Sequence, residues 1–360
     1  MSAPAIHQLV AGFRQGDAIS NEARAIRKVF RGWGAVSEIV CEGQRAAPQV
    51  RSEIRTPEEI LPAIRPGDVA LLHLSIGTPI NRFFASLPCR KAILYHNVTP
   101  AEYFRLYNPA LHDDLAAGRR QAAELASAAE LNIADSRFNA RELEEMGYRD
   151  VKVLPLIFNL DEFPAGARDA ATLQRLGEGR HNVLFVGRCV PNKRLEDLLV
   201  AVHYLQKNLD PAARFVHVGS HAGVEAYHTL LLAQDRELGL RDSIFFGPVT
   251  QAALNTCYAN AGVFLCLSTH EGFCAPLLEA MLHGVPVLAR DAGAVAETLD
   301  GAGVLFKDAD PRLVAETVHE VLRDPALRAS IVARQNRRID AFRGRDVDAE
   351  LRALFARFIK

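Results

Sequence analysis

The feature that most constrains the fold of this chain is a rhythm: short apolar runs alternate with amphipathic stretches from one end to the other. Continuous apolar runs read as strands buried on both faces, and the amphipathic stretches between them as helices that cover those faces. That is the pattern of α/β architecture with parallel sheets. Strands are expected over 6–11, 36–41, 69–74, 92–96, 131–134 and 151–154. The rhythm then restarts, with strands expected over 182–187, 214–219, 243–247, 263–267, 285–289 and 304–306.

A chain of 360 residues is longer than a single hydrophobic core usually supports, so the restart predicts a second α/β unit. The expected division is a first domain over 1–160, a linker over 161–180 marked by Pro164, Gly177 and Gly179, and a second domain over 181–340. A C-terminal helix over 341–360 would pack back on the first domain. Open parallel sheets bind ligands beyond the carboxyl ends of their strands, so two sheets facing across a cleft would share one site, lined by residues just after strands.

Composition removes several classes of function. The 42 basic and 43 acidic side chains leave a net charge of -1, which offers no general attraction for nucleic acid. The cysteines at positions 41, 89, 189, 257, 266 and 274 form no C-x-x-C pair and have no metal-ligand spacing, which fits a reducing compartment. No apolar run approaches the ~18 residues of a membrane span, and Arg14 and Asp17 interrupt the start of the chain before a signal-peptide core. A cytoplasmic protein is expected, free or peripheral at the inner face of a membrane. Tyr103-Phe104-Arg105 and Arg119-Arg120 suit a membrane face and a solvated helix face equally.

Two segments carry chemistry. Ser268-Thr-His-Glu271-Gly272-Phe273-Cys274-Ala275-Pro276-Leu-Leu-Glu279-Ala-Met281 follows an expected strand and leads into a helix, with Pro276 in its first turn and Gly284 after its end. Glu279 is expected in the first turn and Glu271 in the preceding loop. A helix N-terminus holds a diphosphate or sugar oxygens well, and two carboxylates accept hydrogen bonds from vicinal hydroxyls. A Glu279 that only complements the helix dipole and a solvated Glu271 would explain the segment equally. The second segment is Gly187-Arg188-Cys-Val-Pro-Asn192-Lys193-Arg194, another strand-to-helix turn, whose two cations could neutralise a diphosphate. Alone, they are ordinary surface cations.

Together, Gly187-Arg188-x4-Lys193 and Glu271-Gly272-Phe273-x5-Glu279-Ala-Met281, with Gly247-Pro-Val249, Ser268 and Gly284-Val-Pro-Val287 in order, resemble the C-terminal signature of the retaining glycosyltransferases of family 4, also called group 1. The resemblance covers about residues 180–325 and is looser in the first half. It implies the GT-B fold, two Rossmann-like domains whose parallel sheets face across a cleft. It also implies metal-independent transfer of a hexose from a GDP- or UDP-sugar to a sugar or lipid-linked acceptor, in polysaccharide or glycoconjugate synthesis.

Carried over residue by residue, the resemblance makes Arg188 and Lys193 the diphosphate pair. Glu279 becomes the holder of the ribose hydroxyls and Glu271 the contact to the donor sugar. Backbone amides of Phe273, Cys274 and Ala275 lie nearby, and the base lies along Val249. Many family members have glycine where this chain has Cys274. In the first half, His96 of Ala92-Ile-Leu-Tyr-His96 matches a histidine that reaches the donor hexose, and Gly16 stands for a glycine loop over the phosphates, without the usual double glycine. A helix-entry turn capped by Asp17 or Ser20 is the structural reading of that loop.

No cofactor and no metal are expected. Asp308-Ala-Asp310 reads as a helix cap before Pro311 and not as a metal motif, and His217 and His221 lack a third ligand. The alternatives are another enzyme of the same fold, an epimerase of sugar nucleotides or a phosphorylase, and a nucleotide-sugar-binding protein without catalysis. A nicotinamide dehydrogenase fits less well, since Gly12-x3-Gly16 is not G-x-G-x-x-G.

Overall fold

The structure is a computed structural model and describes residues 4–157, 160 and 168–359. The chain divides into two compact units. The first is Met1–Glu102, Pro109–Asn159 and Asp346–Lys360; the second is Tyr103–Asn108 and Leu160–Arg345. Both are α/β units built on entirely parallel sheets.

In the first unit seven strands are β1 (Ile6–Val10), β2 (Ile39–Val40), β3 (Ile54–Arg55), β4 (Val69–Leu74), β5 (Arg90–Tyr95), β6 (Leu131–Ala134) and β7 (Lys152–Val153), in spatial order β3-β2-β1-β4-β5-β6-β7. Every residue of β1 and β4 is buried, as strands covered by helices on both faces require. The helix Ala18–Gly32 supplies one cover, burying Ala23, Ile26 and Phe30 along one stripe. β3 was not expected; with two residues, it is too short to leave a pattern in the sequence. The run expected over 36–41 is a two-residue strand, yet Val36 and Glu38 still accept from the backbone N–H groups of Ile6 and Gln8 at 2.9 Å each.

The end of the chain completes this unit. Leu351, Phe355 and Phe358 join Phe30, Leu94 and Ile133 in one core, and the Phe355 ring meets Phe30 edge-on with centroids 5.0 Å apart. The Trp33 indole N–H donates to Asp348 at 2.6 Å. Burying a phenylalanine of this kind contributes about 2–3 kcal/mol.

In the second unit the strands are β8 (His181–Val186), β9 (Ala213–Val218), β10 (Ile244–Phe245), β11 (Ala261–Cys266), β12 (Val287–Arg290) and β13 (Val304–Phe306), ordered β10-β9-β8-β11-β12-β13. Part of the expected linker is structured: Ala170–Leu176 is a helix, because Asp169 caps Thr172 N–H and Leu176 is buried. The residues at 161–167 lie outside the described set. Tyr103–Asn108, six residues from the first half of the sequence, group with this unit, where Tyr107 meets Tyr227 edge-on and Asn108 donates to the Gly223 carbonyl at 2.6 Å.

Each strand order reverses direction once, between β1 and β4 in the first sheet and between β8 and β11 in the second. These are the switch points beyond which a doubly wound sheet receives a ligand. Among the described residues no helix is long and apolar enough to cross a membrane.

Candidate active site

The loops that leave β8 and β11 flank the switch point of the second sheet, and hydrogen bonds tie them together. Asn192 is buried; its backbone carbonyl accepts from Thr269 N–H at 2.9 Å, and its side-chain amide donates to the His270 carbonyl at 3.1 Å. The Tyr103 hydroxyl bonds the Thr269 hydroxyl at 2.9 Å. These contacts bring Lys193 and Glu271, 78 residues apart, into a two-fold ion pair: Lys193 Nζ lies 2.6 Å from Oε1 and 2.7 Å from Oε2. Burial alone would push the Lys193 ammonium down. The Glu271 carboxylate outweighs it and holds Lys193 above its ordinary value, so the cation is permanent.

Glu271 is itself fixed. Its backbone carbonyl accepts from Ala294 N–H at 2.9 Å, and the chain passes so closely that a Cβ on Gly293, at φ +59°, would meet that carbonyl oxygen at 2.2 Å. Only glycine is accommodated there. A similar approach links the loops after β8 and β9, where a Cβ on Gly219 would meet the Gly187 oxygen at 1.8 Å. His217, pushed down to about 4 chiefly by burial, bonds the same oxygen at 2.9 Å and is a neutral structural group.

After Glu271, Phe273 is buried and its carbonyl accepts from the Thr298 hydroxyl at 2.5 Å. Cys274 caps the helix Ala275–Leu282 in the left-handed region, φ 72° and ψ 63°, with Pro276 in the first turn. Glu279 is the fifth residue of that helix, just beyond the first turn where it is expected, because the cap is at Cys274 and the helix starts at Ala275. Its carboxyl accepts from the buried Tyr258 hydroxyl at 2.8 Å. Burial raises Glu279 to about 7, opposed by that hydrogen bond. Arg188 is exposed directly after β8, and Val249 is half-buried between β10 and the helix Gln251–Ala259, beside Gly247, whose carbonyl accepts from Gly219 N–H at 3.0 Å.

The other two candidates are in the first unit. Gly16, at φ +74°, directly precedes Asp17, which caps the helix at Ala18 by accepting from Ser20 N–H and hydroxyl at 2.9 and 2.7 Å. The capping role read from the sequence is therefore present. His96 follows β5 in a buried polar cluster that the sequence analysis missed. Gln8 donates through Nε2 to the Ala23 carbonyl at 2.9 Å, which turns its Oε1 to accept from His73 Nε2 at 2.9 Å. His73 is fully buried and held well below its ordinary value by burial, so it is neutral with its proton on Nε2. Its Nδ1 must then accept, and His96 Nε2 donates to it at 2.9 Å.

His96 Nε2 is also 3.6 Å from Glu22 and Nδ1 is 3.5 Å from Asp135, both carboxyls buried. Burial would lower His96, but Asp135 and Glu22 together raise it. Glu22 in turn accepts from the Ile157 backbone N–H at 2.8 Å. The signal for this cluster was Gln8 and His73 inside the fully buried strands β1 and β4, where a buried polar side chain needs partners.

Residues 173–338 match the family described as "Glycosyl transferases group 1". The chain is similar to a D-inositol 3-phosphate glycosyltransferase of Kineococcus radiotolerans, 32% identical over 245 residues, covering 62% of this chain and 56% of the relative. It is also similar to a GDP-mannose-dependent alpha-mannosyltransferase of Mycolicibacterium smegmatis, 37% identical over 116 residues, covering 32% of this chain and 27% of that one. The chain spans about half the length of the first of these curated relatives. In three dimensions it superposes on Anabaena HepE in complex with UDP-glucose with a TM-score of 0.74, at 18% identity over 98% of both chains. Residues 173–338 are thus a group 1 glycosyltransferase domain, in a chain with the GT-B fold.

Proposed function

We propose that this chain is a metal-independent glycosyltransferase that moves a hexose from a GDP- or UDP-sugar to a sugar or lipid-linked acceptor with retention of configuration. The observation that carries the reading is the Lys193–Glu271 pair at the switch point of the second sheet, on the loops that a group 1 domain contributes. A relative named for its dependence on GDP-mannose, and the fold shared with a UDP-glucose complex, support a nucleotide-sugar donor.

In this reading Lys193 and Arg188 take the charge that grows on the departing nucleoside diphosphate. A fixed cation ~4 Å from a phosphate oxygen, at an effective dielectric of ~20, supplies a gross attraction of ~4 kcal/mol before desolvation. Glu279 holds the ribose hydroxyls and Glu271 the donor sugar, with the amides of Phe273, Cys274 and Ala275 beside it and Val249 along the base. In the first unit, His96 is assigned to the hexose and Gly16 to the phosphate loop. The donor's own phosphate takes the acceptor proton.

The test is the separation of turnover from binding. Lys193→Ala is expected to lower kcat by about a hundredfold or more, typical of a lost electrostatic donor, with a smaller change in donor Kd. Unchanged kcat with all of the loss in Kd would overturn the assignment of Lys193 to the leaving group.

A further inference from the structure

Cys266 at the end of β11 and Cys274 at the cap of the next helix are eight residues apart in sequence, a spacing that carries no metal signal. The fold nevertheless brings them together. Their Sγ atoms and a carboxylate oxygen of Glu271 all lie within 4.8 Å of one another, and all three residues are buried. Cys266 Sγ is also 3.2 Å from the Ser268 hydroxyl. Two sulfurs on a tetrahedral zinc-type ion at ~2.3 Å stand ~3.8 Å apart, so the side chains need shift by no more than about 1 Å to close on one ion.

A second observation points the same way. Cys274 adopts a left-handed conformation that glycine would occupy without strain and that costs a side-chain-bearing residue about 1 kcal/mol. A thiol is held in a position where its Cβ is a liability, facing a second buried thiol and a carboxylate.

We propose that Cys266, Cys274 and Glu271 form a binding site for a thiophilic divalent cation of the zinc type, which competes with Lys193 for the Glu271 carboxylate. Both thiols lose their protons to solvent on binding. The dication, two thiolates, Glu271 and Lys193 then sum to zero, the same net charge as the neutral thiols with the ion pair. The bound ion supplies no step of sugar transfer. Drawing Glu271 from Lys193, it inhibits. That consequence rests on the function proposed above, whereas the binding itself does not.

The experiment is a cobalt(II) titration of the whole reduced chain, read by the thiolate-to-cobalt charge-transfer band in the near ultraviolet. One ion per chain is expected. Cys266→Ser and Cys274→Gly should each weaken binding at least tenfold, while Cys257→Ser, a buried thiol on the helix Gln251–Ala259, should leave the band unchanged. Cys274→Gly also relieves the positive-φ strain, so its melting temperature should hold or rise, and Cys266→Ser gives an independent reading. No band in the parent chain, or a band that survives both substitutions, would overturn the proposal. Nucleoside diphosphate binding to the metal-free chain, measured alongside, reports separately on the donor site.

Discussion

The two switch points of this molecule use charge in opposite ways. Beyond β8 and β11, Lys193 and Glu271 form a cation and an anion on loops, at the mouth of the sheet, with Lys193 kept charged by its partner. Beside β1 and β4, the polar groups are interior: Gln8 and His73 are fully buried and pass a fixed pattern of hydrogen bonds to His96, with neutral His73 as the link. The first arrangement can meet an incoming anion. The second orients one imidazole and gives its Nε2 proton an inward partner, which leaves Nδ1, on the Asp135 side, as the nitrogen that takes up a proton.

That contrast predicts different penalties for breaking each site. The largest stability loss is expected from Lys193→Met, which strands the buried Glu271 carboxylate; removing one partner of a buried pair costs about 3 kcal/mol or more. The second unit's thermal transition should fall accordingly, and Lys193→Met combined with Glu271→Leu should recover much of the loss. A double variant no more stable than the single one would show that the pair is not what holds these loops together.

His73→Leu should cost less, about 1–3 kcal/mol, because it leaves the Gln8 oxygen and the His96 N–H without partners while removing no charge. The loss should appear in denaturant unfolding of the first unit. NMR titration of the parent chain should show His96 protonating above the ordinary histidine value and His73 remaining neutral well below it. A His73 that titrates normally would break the tautomer assignment.

The smallest effect concerns Glu279. Because its folded value is raised to about 7, its contribution to stability is present below the unfolded value of about 4.5 and is lost as pH rises through 7. Ribose hydroxyls favour the charged form, so nucleoside diphosphate affinity should rise about tenfold from pH 6 to pH 8. In Glu279→Gln that rise should vanish. A parent chain whose affinity is flat over this range would separate Glu279 from the ribose.

The difference between the two regions also explains what the sequence could reveal. β4, β6 and β13 match their expected ranges to the residue, since each is a continuous apolar run between turn signals. Lys193 and Glu271 stood out because their neighbours, Gly187, Gly272 and Pro276, form a spaced motif. Glu22, His73 and Asp135 had no such neighbours: their importance comes from burial against one another, and only the fold brings residues 22, 73, 96 and 135 together. The same holds for Cys266 and Cys274. Glu279 falls one residue beyond its expected place because the helix starts at Ala275 and not at Pro276, and the left-handed cap at Cys274 has no signature in a residue that is not glycine.

The central claim is that the second unit's switch point receives a nucleoside-diphosphate sugar. Ligand-observed NMR of the purified chain with GDP-, UDP- and ADP-sugars tests it most directly. The account predicts saturation transfer to at least one GDP- or UDP-sugar, abolished by excess of the matching nucleoside diphosphate and weakened in Glu279→Gln at pH 8. Absence of binding by every sugar nucleotide tested would contradict it.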